Sequence, residues 1–154
     1  MRAVLDTNVL VRATKNASGP ARELLRQFES EQHVLIVSNV ILVELLRVLD
    51  YPRVRAMHRL TDEECLEFIR SLHDAAEFVA VSDARVDAIS SDPDDDPVIQ
   101  TAIEGKADVL CTLDRHLRTH EVQDHCQRHG IRVLTDVQLL EELRRSADHT
   151  DEST

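Results

Sequence analysis

Residues 2–10 read Arg-Ala-Val-Leu-Asp-Thr-Asn-Val-Leu, and this stretch indicates the class of fold. The apolar run 3–5 is bounded by charged residues, which is typical of a short strand buried in a sheet. Thr7 or Asn8 can cap a brief helix directly after it. A buried strand that passes straight into a helix predicts an α/β protein, and Asp6 then lies where the strand ends.

The rest of the chain repeats this pattern of a short apolar run followed by a helical segment. Further strands are predicted at 33–37, 78–81, 108–112 and 131–134. Helices are predicted at 21–30, 39–49, 61–76, 97–105, 114–130 and 136–146, with 53–60 irregular. Strands that alternate with helices cannot pair as simple hairpins, so they predict a parallel sheet that is covered by helices on both faces.

The chain is long enough for one compact domain and too short for two. Its 154 residues are 42% hydrophobic, so a sizeable core can form. We expect a single domain over 1–147 and a disordered polar tail over 148–154. The three cysteines are widely spaced and odd in number, which does not fit a secreted disulfide framework. No segment has the pattern of a signal peptide or a membrane span, so we expect a cytoplasmic protein.

The overall charge argues at first against a nucleic-acid partner. Asp and Glu number 29 against 18 Lys and Arg, which gives a formal net charge of -11. Nucleic-acid binders usually carry a basic surface, and the whole-chain balance has the opposite sign. The positions of the acids along the chain are more informative than their sum.

Four acids fall directly after predicted strands or near the start of the helix that follows: Asp6, Glu44, Asp95 and Asp114. Ligands of an open parallel sheet bind beyond the carboxyl ends of its strands, so these side chains are expected to converge. Converging carboxylates repel one another, and a hard divalent cation is the usual remedy. The spacing therefore predicts a site for Mg²⁺ or Mn²⁺, an arrangement that can hydrolyse a phosphodiester.

The motifs that hold these acids resemble those of the PIN-domain ribonucleases. They are Asp6-Thr7-Asn8, the lone Glu44 in an apolar helix, Asp92-Pro-Asp-Asp95 ahead of a helix, and Thr112-Leu-Asp114 after a strand. The resemblance spans roughly residues 2 to 140 and is greatest to the branch that contains toxins of toxin–antitoxin pairs.

The resemblance implies a three-layer α/β/α fold with a five-stranded parallel sheet and a metal-dependent endonuclease that acts on single-stranded RNA. It also implies a homodimer and a small cognate antitoxin that occupies the acidic site. The residues that match the family's acidic quartet, as catalytic residues and metal ligands, are Asp6, Glu44, Asp95 and Asp114. Thr7, Asn8 and Thr112 match its supporting polar residues.

Several assignments remain open at this stage. Asp96 is predicted to support the site, although Asp96 or Asp92 could replace Asp95 as the third ligand because acids crowd that turn. Asp114 could lie behind the metal ligands rather than bind the metal directly. Glu44 could instead form an ordinary helix-surface ion pair with Arg47. Two groups at helical spacing could hold zinc, although a polar surrounding favours solvated histidines: His116 and His120, and His125 and His129 with Cys126.

An RNA substrate requires a positive surface to guide it. The candidate RNA-binding residues are Arg47, Arg53, Arg55 and Arg59, which follow the helix of Glu44. The alternative is that these arginines are paired with nearby acids such as Asp50 and Asp62. Two other functions also remain open, namely a catalytically silent PIN-like module that binds RNA or protein, and an RNA-processing nuclease without a toxin role.

Overall fold

The computed structural model describes residues 1–30, 32–82, 93 and 96–152. In that part of the chain, five parallel strands form one sheet in the order β3-β2-β1-β4-β5. The strands are β1 (Arg2–Leu5), β2 (Val34–Ser38), β3 (Glu77–Val79), β4 (Val109–Cys111) and β5 (Arg132–Leu134). All five predicted strands are confirmed, and their ends differ by no more than two residues from the predicted ones, as is usual for element boundaries.

The helices lie between the strands and cover the sheet on both faces. They are α1 (Thr7–Leu10), α2 (Pro20–Glu29), α3 (Asn39–Leu49), α4 (Pro52–His58), α5 (Asp62–Ala75), α6 (Pro97–Glu104), α7 (His120–Arg128) and α8 (Asp136–Asp151). Connections between parallel strands are right-handed. The strand order therefore places the β1–β2 and β2–β3 connections on one face and the β3–β4 and β4–β5 connections on the other, which confirms the α/β/α architecture.

The first strand lies at the centre of the sheet and sets the register of its neighbours. Val4 is aligned with Ile36 on β2 and with Leu110 on β4, and all three side chains are fully buried. Successive strands are added to one side of β1 (β2, then β3) and afterwards to its other side (β4, then β5), so the strand order switches between β1 and β4. Such a switch point, at the carboxyl ends of the strands, is where parallel sheets bind ligands.

Helix α6 packs across the middle of the sheet and brings its N-terminus to this edge. It contacts β1, β2 and β4, and its Ile99 and Ala102 are fully buried. The helix ends at Gly105, where a Cβ would lie 2.7 Å from Cγ2 of Ile36. The close approach of the helix end to β2 therefore requires glycine.

The segment 53–60 was predicted to be irregular, and the structure corrects this. Pro52 occupies the first turn of α4, which ends when Arg59 adopts a left-handed conformation with φ of 54°. The buried His58 fixes the helix end, because its Nε2 donates to the carbonyl of Leu49 at 2.8 Å and its Nδ1 accepts from the amide of Leu60 at 2.9 Å. The basic sequence lacks apolar periodicity, which is why the pattern gave no helix here.

The predicted helix over 114–130 is divided in two. A 3₁₀ turn at Arg115–Leu117 follows β4, and α7 begins only after Thr119, whose hydroxyl accepts from the amide of Val122. A second cap of this kind starts a new helix rather than continuing the first. His116 and His120 consequently do not share a helix, and among the described residues no group of three His, Cys, Asp or Glu is placed to enclose a metal ion.

The last helix is longer than predicted, so the prediction of disorder from residue 148 is wrong for 148–151. A capping box at Thr135 and Gln138 begins α8, which continues to Asp151. No glycine or proline interrupts it, and the Glu141–Arg145 ion pair lies on its surface. Over the residues that the structure describes, no helix has both the length and the apolar character needed to cross a membrane.

Candidate functional site

Asp6 is the most constrained acid of the site. It is 7% exposed, it caps α1, and its backbone N–H donates to the carbonyl of Cys111 on β4 at 2.9 Å. Oδ1 accepts from the amide of Thr7 at 2.7 Å, and Oδ2 accepts from the Thr112 hydroxyl at 2.8 Å and the Asn8 amide at 3.3 Å. The side chain is therefore held in one orientation at the junction of β1 and β4.

The polar residues predicted to support the acids contact them directly. The hydroxyl of Thr112, which is fully buried, donates to Asp6 and accepts from the backbone N–H of Asp114 at 3.0 Å. Asn8 Oδ1 accepts from the amide of Leu113 at 3.2 Å. Thr112 thus couples the two acids that follow β1 and β4, while Thr7 contributes its backbone N–H.

Glu44 and Asp114 reach the same cavity from different elements. Glu44 projects from α3, one turn after Val40 and one turn before Val48, which also line the cavity. Its carboxylate lies 3.4 Å from Arg47, so the predicted surface ion pair is present as well. Asp114 begins the 3₁₀ turn, where its Oδ1 accepts from the amide of His116 at 2.9 Å.

The third acid that the structure places at the cavity is Asp96. It caps α6 directly before Pro97, and its Oδ1 accepts from the amides of Val98 at 2.9 Å and Ile99 at 3.4 Å. Asp95, the predicted third ligand, lies outside the described residues, as does Asp92. Asp96 was predicted as a supporting residue and as an alternative ligand, and it is the acid of this turn that lines the cavity in the described part of the chain.

A buried hydroxyl pair joins the two helices that carry Glu44 and Asp96. Thr101 on α6 donates to the Ser38 hydroxyl at 2.8 Å, and both residues are fully buried. Ser38 in turn caps α3 by accepting from the amide of Ile41. The sequence gave no signal for Thr101, because a threonine inside an apolar helix has no distinctive pattern.

The four acids Asp6, Glu44, Asp96 and Asp114 line one cavity of about 320 Å³ at the carboxyl edge of the sheet. None of the described residues that line it is Lys, Arg or His. Burial is the main cause that raises the pKa of Asp6 to about 6; the charges of Asp96 and Asp114 act in the same direction, and hydrogen bonds from Thr112 and Thr7 act against them. The cavity therefore concentrates negative charge, and among its four described acids Glu44 alone is paired with a described arginine.

No three of these four described carboxylates are grouped closely enough in this structure to enclose a metal ion, but the chemistry of the donor set suits a hard divalent cation. The titratable side chains of the cavity offer only carboxylate oxygens, which Mg²⁺ and Mn²⁺ prefer over the nitrogen and sulfur ligands of zinc sites. Mg²⁺ is commonly bound through one or two carboxylates and keeps several waters. The predicted zinc alternative fits less well, because Cys126 is fully buried and burial raises the pKa of its thiol to about 11.

The predicted basic surface is partly neutralised. Arg47 pairs with Glu44, and Arg55 lies 2.8 Å from Asp50 and 2.7 Å from Asp62. Arg53 and Arg59 are exposed and form no ion pair with any other described residue. Two of the four arginines thus follow the alternative in which nearby acids pair with them.

Comparisons with known proteins bear on the fold and on the family. A search of curated proteins gave no match. Among solved structures, the chain is similar to one from VapBC2 of Rickettsia felis, solved bound to a DNA fragment from their promoter, with a TM-score of 0.54 and 14% identity over 88% of this chain and 98% of that one. At this identity the likeness shows the fold alone. A family model described as PIN domain matches residues 2–116, which is more than half of the chain, and the chain therefore belongs to the PIN domain family.

Proposed function

We propose that this protein is a metal-dependent endoribonuclease that cleaves single-stranded RNA. The observation that carries the proposal is the convergence of Asp6, Glu44, Asp96 and Asp114 on one cavity at the switch point of the sheet. PIN-domain proteins are generally nucleases, so the family supports the same class of reaction. The resemblance of the sequence motifs supports RNA as the substrate.

The cofactor would be Mg²⁺ or Mn²⁺, held by these four carboxylates. When bound, such a cation supplies positive charge that activates water and stabilises the charge that develops on a phosphodiester. Asp96 and Asp114 each use Oδ1 for a helix-capping hydrogen bond, and their Oδ2 atoms have no hydrogen-bond partner among the described residues. One oxygen of each carboxylate is thus available for a ligand while the other fixes its direction.

Asp6 is held in a fixed orientation, and burial makes its ionised form unfavourable unless a positive charge lies nearby. Thr7, Asn8 and Thr112 give its two oxygens three hydrogen bonds, all to groups that can donate to the ionised carboxylate. Its pKa is nevertheless raised to about 6, mainly by burial. A cation that replaces the lost hydration would keep Asp6 ionised at neutral pH. The residue would therefore be the central ligand.

We further propose that the nuclease is the toxin of a type II toxin–antitoxin pair in the cytoplasm, that it forms a homodimer, and that a small antitoxin is its partner. The sequence motifs support this role, and the fold is shared with a VapBC2 structure. A toxin is expected to arrest growth when it is expressed alone and to be rescued by the product of the adjacent gene. Expression without growth arrest would favour an RNA-processing nuclease.

The direct test of the activity is cleavage of end-labelled RNA. The purified protein with Mn²⁺ is expected to cut single-stranded RNA internally, to stop when EDTA removes the metal, and to recover when Mn²⁺ is added back. Single-stranded DNA and double-stranded RNA of the same sequence, in parallel reactions, define the substrate class. The catalytically silent module predicts that none of the three is cut.

The matched control is Asp6→Asn, purified in the same way, since contaminating ribonucleases would survive this substitution. Cleavage is expected to disappear in the variant, and calorimetry is expected to show weaker Mn²⁺ binding. Equal cleavage by the variant would contradict the assignment of the site. Absence of Mn²⁺ binding by the wild-type protein would favour the silent module.

A further inference from the structure

We propose that Arg115 and Arg118, on the 3₁₀ turn after β4, hold the phosphate backbone of the RNA beside the acidic cavity. This inference rests on the proposed nuclease function and deepens it, since it assigns the substrate contact to the arginines that follow β4 rather than to those that follow the helix of Glu44. The turn begins at Asp114, which lines the cavity, and Leu117 in the same turn lines it as well.

The turn keeps the two arginines close to the cavity. Asp114 and Leu117 line the cavity, and Arg115 and Arg118 each directly follow one of them in the chain. The amide of His116 donates to Asp114 at 2.9 Å and the amide of Arg118 donates to the carbonyl of Arg115 at 3.2 Å, so the turn is internally fixed.

Arg115 and Arg118 differ in ion pairing from Arg47 and Arg55 of the predicted basic surface. They differ from its Arg53 and Arg59, which likewise form no ion pair with a described residue, in lying beside the cavity residues Asp114 and Leu117. Arg47 and Arg55 are paired with acids, whereas Arg115 and Arg118 form no ion pair within the described part of the chain. An arginine that is already neutralised by a carboxylate offers little net attraction to a phosphate. Unpaired arginines next to the cavity supply the positive charge that its lining lacks, and phosphate contacts of this kind provide most of the non-specific affinity for nucleic acids.

A second observation on Arg118 supports a role in phosphate binding. Its Nε is buried and has no hydrogen-bond acceptor among the described residues, although the side chain is only partly covered. Buried donors are normally satisfied, but no described group holds this guanidinium through its Nε. A phosphate would supply acceptors for the guanidinium once the side chain turns outward, because its planar fork of donors matches phosphate. Arg115 is exposed and can contact an adjacent phosphate.

The experiment measures RNA binding by the full chain in EDTA, where no cleavage occurs, at several salt concentrations. The probe is a fluorescent single-stranded RNA, and the variant is Arg115→Gln with Arg118→Gln. Each lost phosphate contact is expected to reduce the slope of log K against log salt by about 0.7, so the double variant should lose about 1.4. Its affinity should fall about tenfold and by the same factor for RNAs of different sequence.

Two further double variants separate position from net charge. Arg70→Gln with Arg144→Gln removes the same charge from exposed residues of α5 and α8 and should leave the slope unchanged. Arg53→Gln with Arg59→Gln tests the surface predicted from the sequence. Arg115→Lys with Arg118→Lys should restore most of the slope, because the charges return, and thermal melting verifies that all variants fold.

A slope that stays at the wild-type value in the Arg115/Arg118 variant overturns the proposal, and so does a larger loss in the Arg53/Arg59 variant. Failure of the nuclease function has a separate signature, which is absence of cleavage by the wild-type protein with Mn²⁺. If cleavage occurs, the variant is also expected to raise KM for the labelled RNA about tenfold with little change in kcat, as a positioning contact should.

Discussion

The carboxylates at the two edges of the central sheet have opposite electrostatic environments. At the amino edge, where the strands begin, Arg2 forms two hydrogen bonds with Glu77 at 2.8 and 2.9 Å and its backbone N–H donates to Asp108. Arg132, at the start of β5, pairs with Glu142 in the same two-bond manner at 2.9 and 2.6 Å. The arginines hold the pKa values of Glu77 and Glu142 below their usual range.

At the carboxyl edge, Asp6, Glu44, Asp96 and Asp114 line a cavity that no described cationic side chain lines, and of the four only Glu44 forms an ion pair with a described arginine. The pKa of Asp6 moves up rather than down, mainly because the side chain is buried. Acids are thus paired with arginines at one edge, whereas at the other edge three of these four acids form no ion pair with a described residue.

We infer from this difference that the acids of the amino edge contribute to the stability of the fold, whereas those of the carboxyl edge are available to bind a ligand. Removing a paired acid leaves an arginine that still contacts solvent, Arg2 with 32% and Arg132 with 52% of its side chain exposed, so little should change. Removing an unpaired acid relieves repulsion but deletes a ligand oxygen. Stability and activity are therefore expected to respond in opposite directions at the carboxyl edge and to be nearly unaffected at the amino edge.

The largest effect is expected for Asp96→Asn. Asparagine is an equally good helix cap, so α6 should remain intact. Loss of a ligand oxygen should reduce cleavage at least about 100-fold, since even residues behind metal ligands contribute about 10- to 100-fold. Steady-state cleavage of labelled RNA with Mn²⁺ measures the effect.

The matched control at the amino edge is Glu77→Gln, which should leave cleavage unchanged. Asp95→Asn, measured in parallel, tests the ligand predicted from the sequence. If the Asp96 variant kept full activity and the Asp95 variant lost it, Asp95 rather than Asp96 would be the third ligand.

The next effect concerns the hydroxyl that joins two of the acids. Thr112→Val deletes the bond to Asp6 and the acceptor for the amide of Asp114, with almost no change in shape. Activity should fall about 10- to 100-fold, as for other residues that orient metal ligands. Thr112→Ser keeps the hydroxyl and should retain most of the activity. Equal losses in both variants, with unchanged melting temperatures, would mean that the methyl group matters rather than the hydrogen bond.

Asp6→Asn should make the metal-free protein more stable at neutral pH. A raised pKa means that the folded state holds its proton more tightly than the unfolded chain, so stability falls as pH rises from about 4 to about 6. Above that window the ionised Asp6 lowers the free energy of unfolding by about 2 to 3 kcal/mol. The variant does not recover all of this, because its hydrogen bonds at this position are weaker. Urea denaturation in EDTA should show a gain of about 1 to 2 kcal/mol at pH 7.5 and little at pH 4. Adding Mg²⁺ should stabilise the wild type more than the variant. Lower stability of the variant at pH 7.5 would contradict the cost assigned to Asp6.

Much of the fold and site could be predicted because burial leaves a strong signal in a parallel sheet. Apolar runs that end abruptly in a polar residue located β1 and β4, and therefore Asp6 and Asp114. The choice between Asp95 and Asp96 could not be made from spacing, since the acids are adjacent. The identity of the helix cap, by contrast, could have been predicted, because Pro97 occupies the first helical turn and the cap residue must precede it.

Other features depend on tertiary contacts that no local pattern reports. Helix α4 has few apolar residues and is held by the buried imidazole of His58. The pairing of Arg55 with Asp50 and Asp62 depends on how α4 and α5 are packed. The contact between Thr101 and Ser38 joins residues that are 63 positions apart. Each is fixed by packing between elements, and the predictions from the sequence missed or left open all three.

The smallest effect is expected at the amino edge, for Glu142→Gln. The ion pair with Arg132 is half exposed, and pairs of this kind contribute less than about 1 kcal/mol after screening by solvent. Because folding lowers the pKa of Glu142, its contribution is present above the ordinary pKa of 4.5 and is lost as pH falls through the lower folded value. The variant should therefore be slightly less stable than wild type at pH 7, and the difference should shrink at low pH and in high salt. Its pH dependence is opposite in sign to that of Asp6→Asn, so parallel urea titrations of the two variants test whether the edges differ. A stability gain at neutral pH in the Glu142 variant would mean that the amino edge is as strained as the carboxyl edge, and the distinction between them would fail.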